Sequence, residues 1–260
     1  MEPSFVAPAL RGRARSIWSL LNDGLHRPGG RRALTVLSIV LVLAGVGVFA
    51  YPFGTDIYQR YLQHGLRNDF GGADTARAYR THTFKVGQGL TRIKIDKIGL
   101  DVVVVEGTTP SALRAGAGHY VGTPLPGEAG NVAIAGHRTT YGHPFNRLDE
   151  VTPGSIIELD TPDTAFFYQS VTSFDGQPNP HPVLPTDTAV IAPPKDPTVH
   201  ELTLTTCNPK GSARQRLILR AVLVSSKPLP GAKVAPGATE PTAPVTRPPA
   251  PTTTVLPGPQ

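Results

Sequence analysis

The sequence contains one cysteine, Cys207, so no disulfide can form within the chain. Cys207 follows the alternating segment ELTLTT and precedes the turn-forming residues Asn208, Pro209 and Gly211. This pattern predicts a thiol at the end of a strand, at the rim of a sheet. A thiol nucleophile needs a nearby acid or base and a donor for the oxyanion that forms at an acyl carbon. The alternative is a buried and chemically inert cysteine.

Two further residues supply the groups that such a thiol needs. His137 follows the apolar segment NVAIAG, and Arg216 begins the apolar segment RLILRAVLV. Two strand ends and one strand start can meet at a single rim of a barrel, so we expect the three side chains to be neighbours. An imidazole suits proton transfer near neutral pH, and a guanidinium suits a developing oxyanion.

The remaining histidines of this part of the chain are expected to be surface or turn residues: His119, His143, His181 and His200. None has a cysteine or carboxylate at metal-ligand spacing, and the aspartates do not form a calcium loop. Glycine-rich phosphate-binding loops are also absent from the sequence. We therefore expect neither a metal nor a cofactor.

Seven or eight short strands must position the candidate residues. Alternating or β-branched segments separated by Gly and Pro turns predict them: RIKIDKI, DVVVVEG, NVAIAG, SIIELD, FFYQSV, TAVIA, ELTLTT and RLILRAVLV. One brief helix is predicted at Thr109–Ala115, capped by Thr or Ser. The fold class that follows is all-β, a barrel or a sandwich.

The N-terminal part contains an uncharged run of 19 residues, 33–51. As a helix it would be about 28 Å long, close to the thickness of the hydrocarbon layer of a bilayer. A single transmembrane helix is the prediction, with a buried core helix and a cleaved signal peptide as alternatives. Six arginines precede the run and no Lys or Arg lies in 52–59, which places the N-terminus in the cytoplasm and the rest outside.

The predicted domain organisation has five parts: a cytoplasmic basic arm (1–32), the transmembrane helix (33–52), a juxtamembrane helix and linker (53–89), the β-barrel (90–226) and a Pro/Thr-rich disordered tail (227–260). The net charge of +6 lies at the two ends, and residues 33–226 sum to zero. A neutral central part has no electrostatic surface for a phosphate backbone, so no nucleic-acid partner is expected.

Four segments resemble the sortase family. TLTTC (203–207) is similar to the sequence around the sortase cysteine, AGHRTTYGHPFNRL (135–148) to the segment that carries its histidine, and the Arg before LILRA to its arginine. GHYVGTPLPGEAGN (118–131) adds to the likeness, which extends from about residue 92 to 225 and is strongest to class E sortases of high-GC Gram-positive bacteria. The resemblance implies an eight-stranded sortase-type β-barrel with short helices.

The resemblance also implies a reaction and roles for named residues. Cys207 would attack the Thr carbonyl of a C-terminal sorting motif, and His137 would protonate the leaving Gly amine and later deprotonate the incoming one. Arg216 would hydrogen-bond the oxyanion or the substrate backbone. Thr206 and Tyr141 are expected to line the peptide groove.

The partners that the resemblance implies are surface proteins with a Leu-Ala-x-Thr-Gly or Leu-Pro-x-Thr-Gly motif, and an amine on a cell-wall precursor or a pilin. Similarity to class E favours the Leu-Ala form. Two alternatives stay open. One is a tethered, non-catalytic β-domain that binds wall peptides or assembles pili, and the other is a cysteine peptidase that only hydrolyses.

Overall fold

The computed structural model describes residues 28–230, and the predicted arm before residue 28 and the tail from 231 onward lie outside the described residues. The described part contains three α-helices: α1 (Pro28–Asp69), α2 (Ala73–Thr81) and α3 (Pro110–Ala115). Contacts divide the chain into two units, one up to Tyr51 and one from Pro52 onward.

The described residues of the first unit form the apolar part of α1. Its large side chains are exposed, Val48 and Phe49 to nearly four-fifths of their surface. The stretch Arg31–Asp69 is long and apolar enough to cross a membrane, although a signal sequence near an N-terminus has the same properties. An exposed apolar helix needs a lipid or protein environment, which is consistent with the predicted membrane span.

The second unit is built on eleven strands: β1 (Gly89–Ile95), β2 (Leu100–Glu106), β3 (Gly118–His119), β4 (Gly130–Ala135), β5 (Ile156–Asp160), β6 (Thr164–Ser170), β7 (Ser173–Phe174), β8 (Gln177–Pro178), β9 (His181–Val183), β10 (His200–Asn208) and β11 (Gln215–Pro228). Eight of them follow one another in the order β10-β4-β3-β2-β1-β5-β6-β11, and pairing of β11 with β10 closes the ring. The predicted eight-stranded barrel is therefore confirmed. β9 pairs with the first part of β11, and β7 and β8 form a separate hairpin.

Alternation along the strands fills the barrel. Leu202 and Leu204 of β10 point inward together with Leu217 and Leu219 of β11, and all four are buried in one apolar cluster. The intervening residues of β10 face outward, since successive side chains of a strand point to opposite sides. The outer face of β10 is therefore the side on which Cys207 lies.

Three features of the second unit differ from or refine the sequence prediction. TAVIA, predicted as a strand, is a 3-10 helix at Thr188–Ile191, because the Asp187 carboxylate accepts a hydrogen bond from the Ala189 N–H and starts a helical turn. The predicted short helix is α3, capped by the Thr109 hydroxyl, which accepts from the Ala112 N–H. The predicted linker contains a further helix, α2.

Candidate active site

The candidate nucleophile and the candidate guanidinium lie opposite each other on paired strands. In the antiparallel pairing of β10 with β11, Cys207 is the direct partner of Arg216. Side chains of directly paired residues share one face, with Cβ atoms about 4.5–5.5 Å apart. Both side chains are half-buried. A short loop between the two strands thus brings together residues nine positions apart in the sequence.

The candidate histidine approaches from the other side of β10. β4 pairs with β10 in parallel, and the register ends with Ala135 opposite Thr205. The Gly136 N–H then donates to the Thr205 carbonyl at 3.0 Å. His137 and Cys207 are each two residues beyond this last pair, at the same ends of neighbouring strands. The fold therefore brings His137, Cys207 and Arg216 to one rim, as the sequence predicts.

Gly136 allows the chain to turn closely over the core just before His137. A Cβ atom at this position would lie 2.6 Å from the ring of Phe145, which is fully buried. The Phe145 N–H donates to the His137 carbonyl at 3.1 Å. The loop that begins at His137 is thus closed at its base by Phe145, and no larger residue fits at Gly136.

Arg138 is a site residue that the sequence prediction missed. Its side chain is only 4% exposed, and Nη1 donates to the Cys207 carbonyl at 3.1 Å and to Asn208 Oδ1 at 2.8 Å. Nη2 is 3.0 Å from Asp149 Oδ1. One guanidinium therefore joins the histidine segment to the cysteine segment. It also places a fixed positive charge beside the backbone of the nucleophile.

Thr206 is buried, whereas Tyr141 is half-buried and lies on the loop after His137. Thr206 is 2% exposed, and its hydroxyl donates to the Gly136 carbonyl at 2.8 Å. The Thr206 side chain thus joins the cysteine strand to the histidine segment, and its expected place in the peptide groove stays a prediction. Tyr141 is half-buried, and its ring packs against the His137 imidazole at a tilt of 38°, with centroids 5.2 Å apart.

Burial changes the pKa of His137, the candidate acid and base. Partial burial lowers the pKa of the His137 imidazole below the ordinary value of 6.5, because the charged form loses solvation. The neutral form therefore predominates at pH 7 to a greater degree than in a free histidine. A neutral imidazole is ready to accept a proton from an incoming amine, and the less abundant imidazolium is a stronger acid.

The other histidines lie outside this rim or are held by other contacts. His119 was expected at the surface, but it is buried, and its Nδ1 lies 2.7 Å from the Glu106 carboxylate. His143 is exposed and lies 3.5 Å from Asp56. His181 stacks on the Phe174 ring. His200 Nδ1 lies 2.9 Å from the Gly127 carbonyl oxygen.

A closed eight-stranded barrel with a thiol, an imidazole and a guanidinium at one rim has the groups that a cysteine-dependent acyl-transfer enzyme needs. Comparison with known proteins identifies the family within this class. The family described as "Sortase domain" matches residues 93–224. This chain belongs to the sortase family of cysteine transpeptidases, which confirms the resemblance drawn from the sequence.

Individual relatives are similar along much of the chain. Sortase SrtE1 of Streptomyces coelicolor is 31% identical over 56% of this chain, but the match spans only 43% of SrtE1. Sortase D of Bacillus subtilis is 30% identical over 72% of this chain and 94% of its own length. The structure of a Clostridium perfringens sortase D5 transpeptidase has a TM-score of 0.54 at 27% identity, over 65% of this chain and 99% of that one.

Proposed function

We propose that this chain is a membrane-anchored, extracellular transpeptidase that cuts a C-terminal sorting motif between Thr and Gly and joins the Thr carboxyl to an amine. The observation that carries the proposal is the register of three strands: Cys207 lies opposite Arg216, and His137 follows the strand paired with β10. These positions supply a nucleophile, an oxyanion donor and a proton carrier around one point.

In the first half-reaction, the thiolate of Cys207 attacks the Thr carbonyl carbon and a C–S bond forms. The negative charge that develops on the carbonyl oxygen is stabilised by the Arg216 guanidinium. The imidazolium of His137 gives its proton to the Gly nitrogen as the C–N bond breaks. The products are a thioester on Cys207, a neutral imidazole and a released peptide with a free amino terminus.

The second half-reaction reverses this sequence with a new amine. The amine attacks the thioester carbonyl and loses its proton to the neutral imidazole of His137, while the C–S bond breaks and the thiolate returns. Burial favours the neutral imidazole, which is the form this step requires. The acceptor is an amine of a wall precursor or of a pilin lysine.

The surface next to Arg216 is apolar at Leu184 and suits the Leu at the start of the sorting motif. β9 pairs with β11 so that Val183 is the partner of Arg216, and the following Leu184 is 63% exposed. An exposed leucine beside the site offers apolar contact area to the Leu of a Leu-Ala-x-Thr-Gly or Leu-Pro-x-Thr-Gly peptide. The resemblance of the sequence to class E sortases favours the Leu-Ala form.

The proposed orientation has the N-terminus in the cytoplasm. Six arginines precede the uncharged run 33–51 and none lies just after it, which is the charge bias of a span with its N-terminus inside. Protease added to intact cells should remove the barrel and leave the N-terminal arm protected. Protection of residues 90–225 would contradict this orientation.

Transfer and hydrolysis are separated by product analysis. The purified chain, a Leu-Ala-x-Thr-Gly peptide and a glycine oligomer or a lysine derivative should give a ligated product, and Cys207→Ala should give none. Free peptide acid alone, at every amine concentration, would identify a hydrolytic peptidase. Binding of the peptide without any cleavage would identify a non-catalytic wall-peptide-binding domain.

A further inference from the structure

The loop after His137 has an unfavourable backbone conformation. Three consecutive residues, Tyr141, Gly142 and His143, have positive φ angles of 52°, 70° and 36°. The left-handed region is open to glycine but costly for residues with a side chain, and two of these three have one. Such a run persists only where surrounding contacts hold it. The position of the loop therefore depends on its partners.

The middle of helix α1 provides those partners. The Gly142 N–H donates to Asp56 Oδ1 at 2.8 Å, and the Tyr141 N–H donates to Thr55 Oγ1 at 3.4 Å. The second carboxylate oxygen of Asp56 lies 3.5 Å from His143 Nδ1. One carboxylate and one hydroxyl of the helix thus contact all three left-handed residues.

This part of helix α1 is hydrogen-bonded to the barrel. The contacts between the helix and the loop therefore fix the position of the loop relative to the barrel. Gln63 is 5% exposed, and its side-chain amide forms two hydrogen bonds to the backbone of Val103, at 2.8 and 2.9 Å. One turn earlier, Gln59 fills the space beside Gly142, where a Cβ atom would lie 2.4 Å from its Oε1. The segment from Thr55 to Gln63 therefore bridges the barrel and the loop.

The loop in turn contacts His137. The ring of Tyr141 packs against the imidazole, and at the far end of the loop the Phe145 N–H donates to the His137 carbonyl. We propose that Asp56, assisted by Thr55, is a positioning residue that holds the loop and thereby fixes the imidazole of His137 relative to Cys207. This inference rests on the proposed function, because it assigns Asp56 a part in the same reaction.

The test compares three variants of the full chain in detergent. Asp56→Ala removes the acceptor of the Gly142 N–H, Asp56→Asn keeps a carbonyl oxygen in its place, and Arg67→Ala removes an exposed helix-to-barrel pair with Asp101 far from the loop. Two readouts are needed. One is the single-turnover rate of acylation by a Leu-Ala-x-Thr-Gly peptide, and the other is hydrogen exchange of the segment 137–145 without any peptide.

We expect Asp56→Ala to speed hydrogen exchange of the loop and to slow acylation about tenfold, since small displacements of a catalytic group reduce rates strongly. Asp56→Asn should recover most of the rate, to within about threefold, because the hydrogen-bond acceptor remains. Arg67→Ala should match the wild type in both readouts, as exposed ion pairs contribute little.

Unchanged acylation and unchanged exchange in Asp56→Ala would overturn the inference, and so would faster exchange with an unchanged rate. If Asp56→Ala does not fold, Thr55→Val removes the acceptor of the Tyr141 N–H at similar volume, and a wild-type result there would count against the proposal. If the wild-type chain forms no acyl-enzyme at all, the proposed function fails. Hydrogen exchange then still reports whether Asp56 holds the loop.

Discussion

Arg216 and Arg220 lie on the same face of β11, four residues apart. Their surroundings nevertheless predict that substitution affects activity in one case and stability in the other. Arg216 is paired with Cys207, whereas Arg220 is paired with Thr203, further along β10. An alternating strand points both side chains to one side, so the sequence pattern alone does not distinguish them. Their contacts do, and we expect Arg216→Ala to reduce activity and Arg220→Ala to reduce stability.

Arg220 is largely buried and makes several contacts through its guanidinium group. Its guanidinium pairs with the Glu201 carboxylate, donates to the Val190 carbonyl at 2.9 Å and lies 5.1 Å from the centre of the Phe174 ring. Loss of one partner of a buried ion pair costs about 3–5 kcal/mol, which we reduce to about 2–3 kcal/mol because both side chains keep some solvent contact. Arg220→Ala should therefore lower the melting temperature by about 5–10 °C.

Arg216 has few contacts to lose. Within residues 28–230, its Nη1 donates to two nearby backbone carbonyls, those of Ala213 at 3.0 Å and Gln215 at 3.1 Å. Loss of these partly exposed bonds should cost less than about 1 kcal/mol of stability. Removal of an oxyanion donor, in contrast, reduces the rate by roughly 10²–10³-fold. Arg216→Lys should restore little, because an ammonium lacks the fork of the guanidinium.

The assay is peptide cleavage at a temperature at which every variant is folded, combined with thermal melting of each. Arg214→Ala is the matched control, since Arg214 is an exposed residue of the loop before β11. Arg214→Ala and Arg220→Ala should cleave within a few-fold of the wild type. A larger kinetic defect at Arg214 or Arg220 than at Arg216, or a fully active Arg216→Ala, would refute the assignment of Arg216 as the oxyanion donor.

Two further predictions concern the histidine side of the rim. Arg138→Ala should lower both the melting temperature and the cleavage rate, because it leaves the Cys207 carbonyl and Asn208 without their buried donor; a variant unchanged in both measurements would contradict this role. The His137 ring should titrate below pH 6.5 in an NMR titration of the folded chain, because burial disfavours the imidazolium, and a midpoint at or above 6.5 would be inconsistent with that burial.

The parts of the fold that sequence predicted well are those where local pattern and tertiary position agree. Leu202 and Leu204 alternate with threonines, and the alternation correctly predicts a strand, although Thr203 and Thr205 on its other face are buried as well. A short turn-rich segment then separates Cys207 from Arg216, which favours an antiparallel pair. The predicted proximity of these two residues therefore depended only on local signals.

The sequence prediction fails where the local structure depends on contacts between residues that are distant in the sequence, or on a single capping hydrogen bond. The apolar run TAVIA has the composition of a strand, but one hydrogen bond from Ala189 to the Asp187 side chain makes it a helical turn. Arg138 is one of many arginines in the sequence, and its importance comes from a backbone carbonyl 69 residues away. Asp56 likewise contacts a loop 86 residues away, and no periodicity reveals such a pair.

The central claim is that Cys207 forms a covalent acyl intermediate, and the mass of the intact protein tests it most directly. The purified chain mixed with a Leu-Ala-x-Thr-Gly peptide and quenched in acid should gain the mass of the peptide up to its Thr residue. That adduct should map to Cys207, disappear with hydroxylamine or an acceptor amine, and be absent from folded Cys207→Ala. Peptide cleavage by Cys207→Ala, or an adduct on any other residue, would contradict the account.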